Sequence, residues 1–437
     1  MVDGLGLGGG GAAATEHLLL ARWVFPVGRP PISNGGVAIR GGAILGVGPR
    51  REVLAAWPGA GRLELGEAGL LPGLVNCHTH LELSGPPVAP PDGSFARWLI
   101  AVIRQRQQTP LAAQEAQAGV NARGLLASGT TAVGEVSSTG QSLGPLLRAG
   151  LRGILFREVL GLDPGEAPAR AEAARSDLER LGREARQSLL RIGLSPHSPY
   201  GLSEELFAAC RALARAAEAP CCIHAAESRD EAALVAGGGG PLPDLLYPAV
   251  GQAPPPRRRA ATPVAYLEAL GMLDGEPLLI HAVHVDGEDR RRLASRGVRV
   301  AHCPRSNARL SGAAAPVPAY LREGIPVGLG TDSLASAPTL DLWDEMRAAL
   351  AAQGGRLAPA QVLEMATLGG ARALGLADVV GTLQAGKRAD LVAVPAEGIE
   401  PSDPAGSLIA GTRGADVLLT MVEGRILHRR GECEPCD

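Results

Sequence analysis

At 437 residues and 46% apolar composition, the chain can bury one large core plus a smaller satellite, and no apolar run reaches membrane-spanning length. A formal net charge of −3, with no basic cluster interleaved with aromatics, speaks against nucleic-acid binding and against a membrane surface. Seven cysteines in so long a chain form no disulfide framework, which fits a reducing compartment.

In chain order, residues 1–15 are rich in Gly and Ala and lack the basic region and apolar core of a secretory signal. They read as a disordered tail on a cytoplasmic protein. From 16 to 70, alternations such as Val37-Ala38-Ile39-Arg40 and Ala43-Ile44-Leu45-Gly46-Val47, set between glycines, predict short antiparallel strands. The same pattern returns in Ala389-Asp390-Leu391-Val392-Ala393-Val394, Val417-Leu418-Leu419-Thr420-Met421-Val422 and Arg425-Ile426-Leu427. One β-sandwich built from residues 16–70 and 378–432 is predicted, with residues 71–377 inserted between its halves.

Within the insert, strands alternate with helices at βα spacing. Strands are predicted at 71–80, 130–136, 153–159, 190–195, 221–225, 278–283, 298–303 and 327–332. Helices are predicted at 112–127, 167–187, 203–217, 264–271 and 341–352. Strands of this number suit a closed (β/α)8 barrel, a TIM-like α/β fold. Residues 237–259, rich in Gly and Pro, are the longest irregular piece, either a lid or substrate loop or a flexible surface insertion. Arg257-Arg258-Arg259 and Arg290-Arg291-Arg292 read as solvated faces, and Cys433-Glu434-Pro435-Cys436, with no second pair to complete a zinc ribbon, as tail thiols.

The ends of the strands carry the chemistry. His78-Thr79-His80 closes the apolar run Gly69-Leu70-Leu71-Pro72-Gly73-Leu74-Val75-Asn76-Cys77, and side chains two apart on a strand point to one side. Pro220-Cys221-Cys222-Ile223-His224 and Pro277-Leu278-Leu279-Ile280-His281 each close on a histidine, and Ile325-Pro326-Val327-Gly328-Leu329-Gly330-Thr331-Asp332 closes on an aspartate. Continuous apolar runs suit parallel strands buried on both faces, and polar groups at their C-terminal ends mark the active face of a barrel. Histidines and an aspartate there suit one catalytic metal with a position left for water. Strand position alone leaves open which of them ligate and which move protons. His80-Leu81-Glu82 with Pro220-Cys221-Cys222-Ile223-His224 mimics a cytidine-type zinc motif, but a histidine stands where its last cysteine belongs.

Taken in order, Leu71-Pro72-Gly73-Leu74-Val75-Asn76-Cys77-His78-Thr79-His80-Leu81, Ser195-Pro196-His197-Ser198-Pro199-Tyr200, His224-Ala225-Ala226-Glu227-Ser228, His281-Ala282-Val283-His284, His302-Cys303-Pro304-Arg305-Ser306-Asn307, Gly330-Thr331-Asp332-Ser333 and Gly386-Lys387-Arg388-Ala389-Asp390-Leu391-Val392 resemble the amidohydrolase superfamily. The resemblance is to its nucleobase and nucleoside deaminase branch and covers nearly the whole chain. It implies His78, His80, His224 and Asp332 as metal ligands. It further implies that His281 hydrogen-bonds the attacking hydroxide beside Asp332, which accepts the water proton, and that Glu227 protonates a substrate ring nitrogen. His197 would contact substrate, and His284 and His302 would pack or support. Binuclear members bridge their metals with a carboxylated lysine or, in some groups, a glutamate; Lys387 is the only lysine here and belongs to the sandwich motif, so a single metal is expected. Zinc is the default for three nitrogens and one oxygen, and ferrous iron fits the same set.

Within the branch, Cys303-Pro304-Arg305-Ser306-Asn307 and Thr331-Asp332-Ser333-Leu334-Ala335-Ser336 look closest to aminodeoxyfutalosine deaminases. These convert 6-amino-6-deoxyfutalosine to futalosine plus ammonia in an alternative menaquinone pathway. Arg305 would then either pair with a substrate carboxylate or serve as an ordinary loop arginine. Deamination of S-adenosylhomocysteine, methylthioadenosine or another nucleobase is the alternative, as is chloride release from a ring carbon by a chlorohydrolase of the same superfamily. A third reading is a fold kept as a non-enzymatic scaffold, which would predict missing ligands. The expected partner is a small-molecule substrate, and the branch often forms homodimers.

Overall fold

The computed structural model describes residues 15–83, 94–256 and 258–431, so the predicted tail (Thr15 apart) and the Cys433/Cys436 pair lie outside the described residues. The first strands are β1 (Glu16–Val24), β2 (Ile32–Arg40), β3 (Ala43–Pro49), β4 (Gly61–Glu64) and β5 (Ala68–Pro72). Next come β6 (Leu74–Thr79), β7 (Thr130–Ser137), β8 (Arg152–Val159), β9 (Leu190–Pro196), β10 (Cys222–Ala225), β11 (Leu278–His281), β12 (Arg299–His302) and β13 (Val327–Leu329). β14 (Leu391–Pro395), β15 (Leu419–Val422) and β16 (Arg425–Arg429) follow.

Both chain ends enter one hydrogen-bonded sheet of order β16-β15-β14-β5-β1-β2-β3, with β4 on β1, rather than two separate sheets. The join is β5 against β14, antiparallel, with Leu71 opposite Val392 and Leu70 opposite Ala393. Alternate residues supply its two faces, as the pleat requires. Leu19, Val37, Ile44, Leu70, Leu391 and Met421 share one cluster, so the sheet curls around a common core. Leu18, Leu20 and Ala38 point the other way, onto Val53 of the helix Arg50–Ala56.

The predicted strand 71–80 is interrupted at Gly73, so the boundary between sheet and barrel falls there. A Cβ at Gly73 would lie 2.1 Å from Thr131 Oγ1, so only glycine fits where the chain crosses over. Its N–H donates to Asp390 O at 2.9 Å, which ties the crossing to the returning C-terminal segment. A buried ion network reinforces the same junction. Arg152 of β8 grips both Asp390 oxygens at 2.8 and 3.2 Å and also pairs with Glu423. Arg152→Ala would leave the Asp390 charge buried without its partner. A loss of about 3 kcal/mol is expected, read as a lower urea midpoint at unchanged slope.

The eight inserted strands form two parallel ladders, β6-β7-β8-β9 and β10-β11-β12-β13. Parallel bridges Leu194↔Cys221 and Thr79↔Asp332 join the ladders at both seams, closing the barrel. Helices Leu111–Ala127, Ala167–Glu184, Glu204–Ala216, Pro263–Ala269 and Leu342–Gln353 lie within a few residues of the predicted ones.

One helix the sequence reading omitted, Phe95–Gln108, covers the barrel mouth. Its signals were present: Ser94 caps it by accepting from the Arg97 N–H, and apolar residues recur at 95, 98, 99, 102 and 103. The predicted irregular piece also departs from expectation, because it contains a wide helical turn, Leu242–Leu246, running into Tyr247–Ala249. Leu242, Leu246 and Tyr247 pack on Phe95, Trp98 and Tyr200, so this piece and the omitted helix form one roof. Among the described residues, no helix is long and apolar enough to cross a membrane.

Candidate metal centre

His78 is the penultimate residue of β6 and His80 lies just past its end, with both rings buried at the C-terminal mouth of the barrel. His80 donates its Nδ1–H to Val136 O at 3.1 Å, and His224, on β10, donates its own to His197 O at 3.1 Å. A neutral imidazole that donates at Nδ1 carries a lone pair at Nε2. Those two Nε2 atoms face each other across 3.3 Å. Two opposed lone pairs this close repel unless a cation or a proton lies between them, so the pair suits a bound cation. Both nitrogens of His78 are buried without a hydrogen-bond partner, and its Nε2 lies 3.6 Å from Asp332 Oδ1, with His80 Nε2 at 3.9 Å from the same oxygen.

The hydroxyls of Ser306 and Ser336 donate to Asp332 Oδ2 at 2.6 and 2.7 Å, which turns Oδ1 toward the histidines. Burial would raise the Asp332 carboxyl, but the His78 contact and the rings of His281 and His80 hold it well below the usual range. Burial pushes His78 down to about 4 and His224 well below the ordinary histidine value, so both stay neutral and able to ligate near pH 7. This donor set, three imidazole nitrogens and one carboxylate oxygen, fits a divalent metal. Left-handed backbone at Ala226 (φ +53°), His281 (+71°), Ala282 (+45°) and Asp332 (+56°) marks the same strand ends, at an expected cost of roughly 1–3 kcal/mol each.

Glu227, three residues after His224, is buried with Oε1 3.4 Å from His281 Nε2. Tyr200 donates its hydroxyl to Oε2 at 3.3 Å, the Glu227 N–H goes to Glu231 at 2.9 Å, and the Ser311 hydroxyl holds its carbonyl. Burial raises the Glu227 carboxyl, with His281 pulling the other way. His197 also reaches the cavity, with Nδ1 on Ser198 Oγ at 2.7 Å and Nε2 3.8 Å from Glu158.

His80, His224, Glu227, His281 and Asp332 thus open on one cavity of about 780 Å³, and His78 lies directly behind them. Its lining is mainly apolar, with Trp98, Leu99, Val102, Leu160, Leu246 and Val250, and also includes Arg106 and Arg170. The sequence reading missed Glu158 and Tyr200 among the lining residues. Glu158 had a visible signal, a carboxylate interrupting the apolar strand Ile154-Leu155-Phe156-Arg157-Glu158-Val159 near its end.

Arg305 requires a correction. It does not line the cavity, and its guanidinium is spent on Glu345 at 2.6 Å, Asp344 at 3.1 Å and Thr339 at 2.8 Å. Glu345 is fully buried, and burial pushes its carboxyl up to about 7 even beside the arginine. Arg305 therefore neutralises a buried acid instead of meeting a substrate carboxylate. Lys387 sits in the terminal sheet region, its Nζ donating to Val380 O at 3.3 Å.

The sequence pattern of the amidohydrolase family matches residues 70–427. The chain is 34% identical over 426 residues to the 5-methylthioadenosine/S-adenosylhomocysteine deaminase of Moorella thermoacetica, covering 95% of this chain and 94% of that protein. It is 37% identical over 355 residues to the aminodeoxyfutalosine deaminase of Deinococcus radiodurans, covering 78% of this chain and 82% of that protein. In three dimensions it is similar to an adenosine deaminase from Xanthomonas campestris with bound zinc, with a TM-score of 0.77 at 24% identity, covering 97% and 95% of the two chains.

Proposed function

The chain belongs to the amidohydrolase family, and from that footing we propose that it is a metal-dependent hydrolytic deaminase of an adenine-type nucleoside. The carrying observation is the pairing of two facing imidazole lone pairs, 3.3 Å apart, with a buried carboxyl whose proton is held more tightly than usual. His78, His80, His224 and Asp332 would hold the metal, zinc by its donor set. When bound, such a metal lowers the pKa of water from about 15.7 to roughly 7 and so supplies a nucleophile at neutral pH.

The protein's own groups do the rest. Glu227, whose carboxyl burial shifts toward its acid form, gives a proton to a ring nitrogen of the base, which makes the amino-bearing carbon electrophilic. Asp332, with Oδ2 fixed by two hydroxyls, takes the proton of the adding water on Oδ1 and returns it to the departing amine. The carbon–nitrogen bond breaks, ammonia leaves, the ring keeps the oxygen as a carbonyl, and the remaining hydroxyl proton passes to Glu227 and restores its acid form. His281 Nε2, 3.4 Å from Glu227, steers the incoming oxygen. The apolar roof of Phe95, Trp98, Leu246 and Tyr247 would limit the access of bulk water to the exchange.

For the substrate, the reading is 6-amino-6-deoxyfutalosine, giving futalosine and ammonia. The Deinococcus relative and the mainly apolar lining of the cavity, which suits an aryl-bearing nucleoside, support it. Methylthioadenosine or S-adenosylhomocysteine is the second reading, supported by the Moorella relative along almost the whole chain. Ammonia release should be measured on both, with adenosine, guanine and cytosine alongside. A kcat/KM at least about tenfold higher for aminodeoxyfutalosine, roughly 1.4 kcal/mol in the transition state, is expected. Preference for methylthioadenosine would move the assignment to the second reading, and no turnover of any aminopurine would remove the deaminase reading.

A further inference from the structure

The ring of His281 stands on a pair of left-handed residues, His281 and Ala282, at the end of β11. Backbone of that kind persists only where surrounding contacts over-determine it. One side chain supplies such a contact from the far side of the ring. Asn307 Oδ1 lies 2.9 Å from His281 Nδ1, and Asn307 Nδ2 lies 3.2 Å from His302 Nδ1. Asn307 is 1% exposed and His302 fully buried, and His302 Nε2 has no hydrogen-bond partner. Both ends of the amide are therefore committed to the two rings.

An amide oxygen cannot donate, so its bond to His281 requires the proton on Nδ1. We propose that Asn307 is a positioning residue that locks His281 in its Nδ1–H tautomer, so that Nε2 offers a lone pair to Glu227 and the cavity. The opposite tautomer would aim an N–H at Glu227 Oε1, 3.4 Å away, and leave no lone pair facing the cavity. The preceding residue, Ser306, donates to Asp332 at 2.6 Å, and the Asn307 N–H donates to Cys303 O at 2.8 Å. One turn of the short helix Pro304–Leu310 thus orients both groups that handle protons opposite Glu227. This role presupposes the deaminase chemistry only in its kinetic consequences.

The test is a two-bond proton–nitrogen correlation spectrum of zinc-loaded protein labelled with 15N-histidine, near neutral pH. His281 is assigned by the signals lost in His281→Asn. A pyrrole-type Nδ1 and a pyridine-type Nε2 are expected, and a pyridine-type Nδ1 overturns the assignment whatever the protein turns over. Asn307→Leu should lower kcat by about 10–100-fold, with KM changed by less than about threefold and the two tautomers mixed. Asn307→Asp keeps an acceptor against Nδ1 and should recover most of that loss. An Asn307→Leu protein with unchanged spectrum and kcat, or an Asp variant as slow as the Leu variant, also overturns it. Should the Leu variant fail to fold, the wild-type spectrum still decides. The expected spectrum without aminopurine turnover would keep the tautomer and sink only the deaminase reading.

Discussion

Stripping the metal from the purified protein is expected to lower ammonia release by at least about a thousandfold, because free water near pH 7 is a far poorer nucleophile than hydroxide. Adding back one equivalent of zinc should restore the rate. The stripped protein should also be less stable, since the proposed ligands His78, His80, His224 and Asp332 come together only in the folded chain. At a free concentration of about a thousand times the dissociation constant, that linkage is worth about 4 kcal/mol. Without metal, stability should fall further in mild acid. Burial lowers His78 from 6.5 to about 4, so the unfolded chain takes up its proton first. That contribution is whole above about pH 6.5 and is lost as the pH falls toward 4. Turnover at the full rate in protein shown to contain no metal would contradict the assignment of the site.

Glu227→Gln should lower kcat by about 10²–10⁴-fold while metal content and thermal midpoint stay close to the parent protein. The replacement keeps shape, and the Tyr200 hydroxyl, the Glu231 carboxylate and the Ser311 hydroxyl still have their partners. What disappears is the ionisable proton 3.4 Å from His281. KM should change little, because the proton moves only as the transition state forms. A variant that retains most of its kcat would show that the ring nitrogen is protonated from elsewhere.

Much of this was legible along the chain because the relevant signals are local. Apolar runs of strand length ending in His78, His224, His281 and Asp332 depend only on neighbouring residues, and so does the alternation in β1–β3 and β14–β16. The seven ordered motifs extended that reading to the family, whose pattern spans residues 70–427. The helix Phe95–Gln108 was also readable, from its Ser94 cap and its 3,4-spaced apolar face.

Other features depend on contacts between separate elements, from tens to hundreds of positions apart, and no single motif contains them. Arg305 looked available for a substrate carboxylate, yet its helix sets it beside Glu345, some forty residues on, a buried acid that must be compensated. Asn307 meets both His281 and His302 only because β11 and β12 are neighbours in the barrel. The curl that turns two predicted strand sets into one sheet follows from β5 pairing with β14 across more than three hundred residues. Residue type and strand-end position thus named the reactive groups from sequence. Which of their hydrogen bonds were already taken, and hence which groups were free to act, was settled by packing, because a buried donor or acceptor must find whatever partner the closed barrel brings to it.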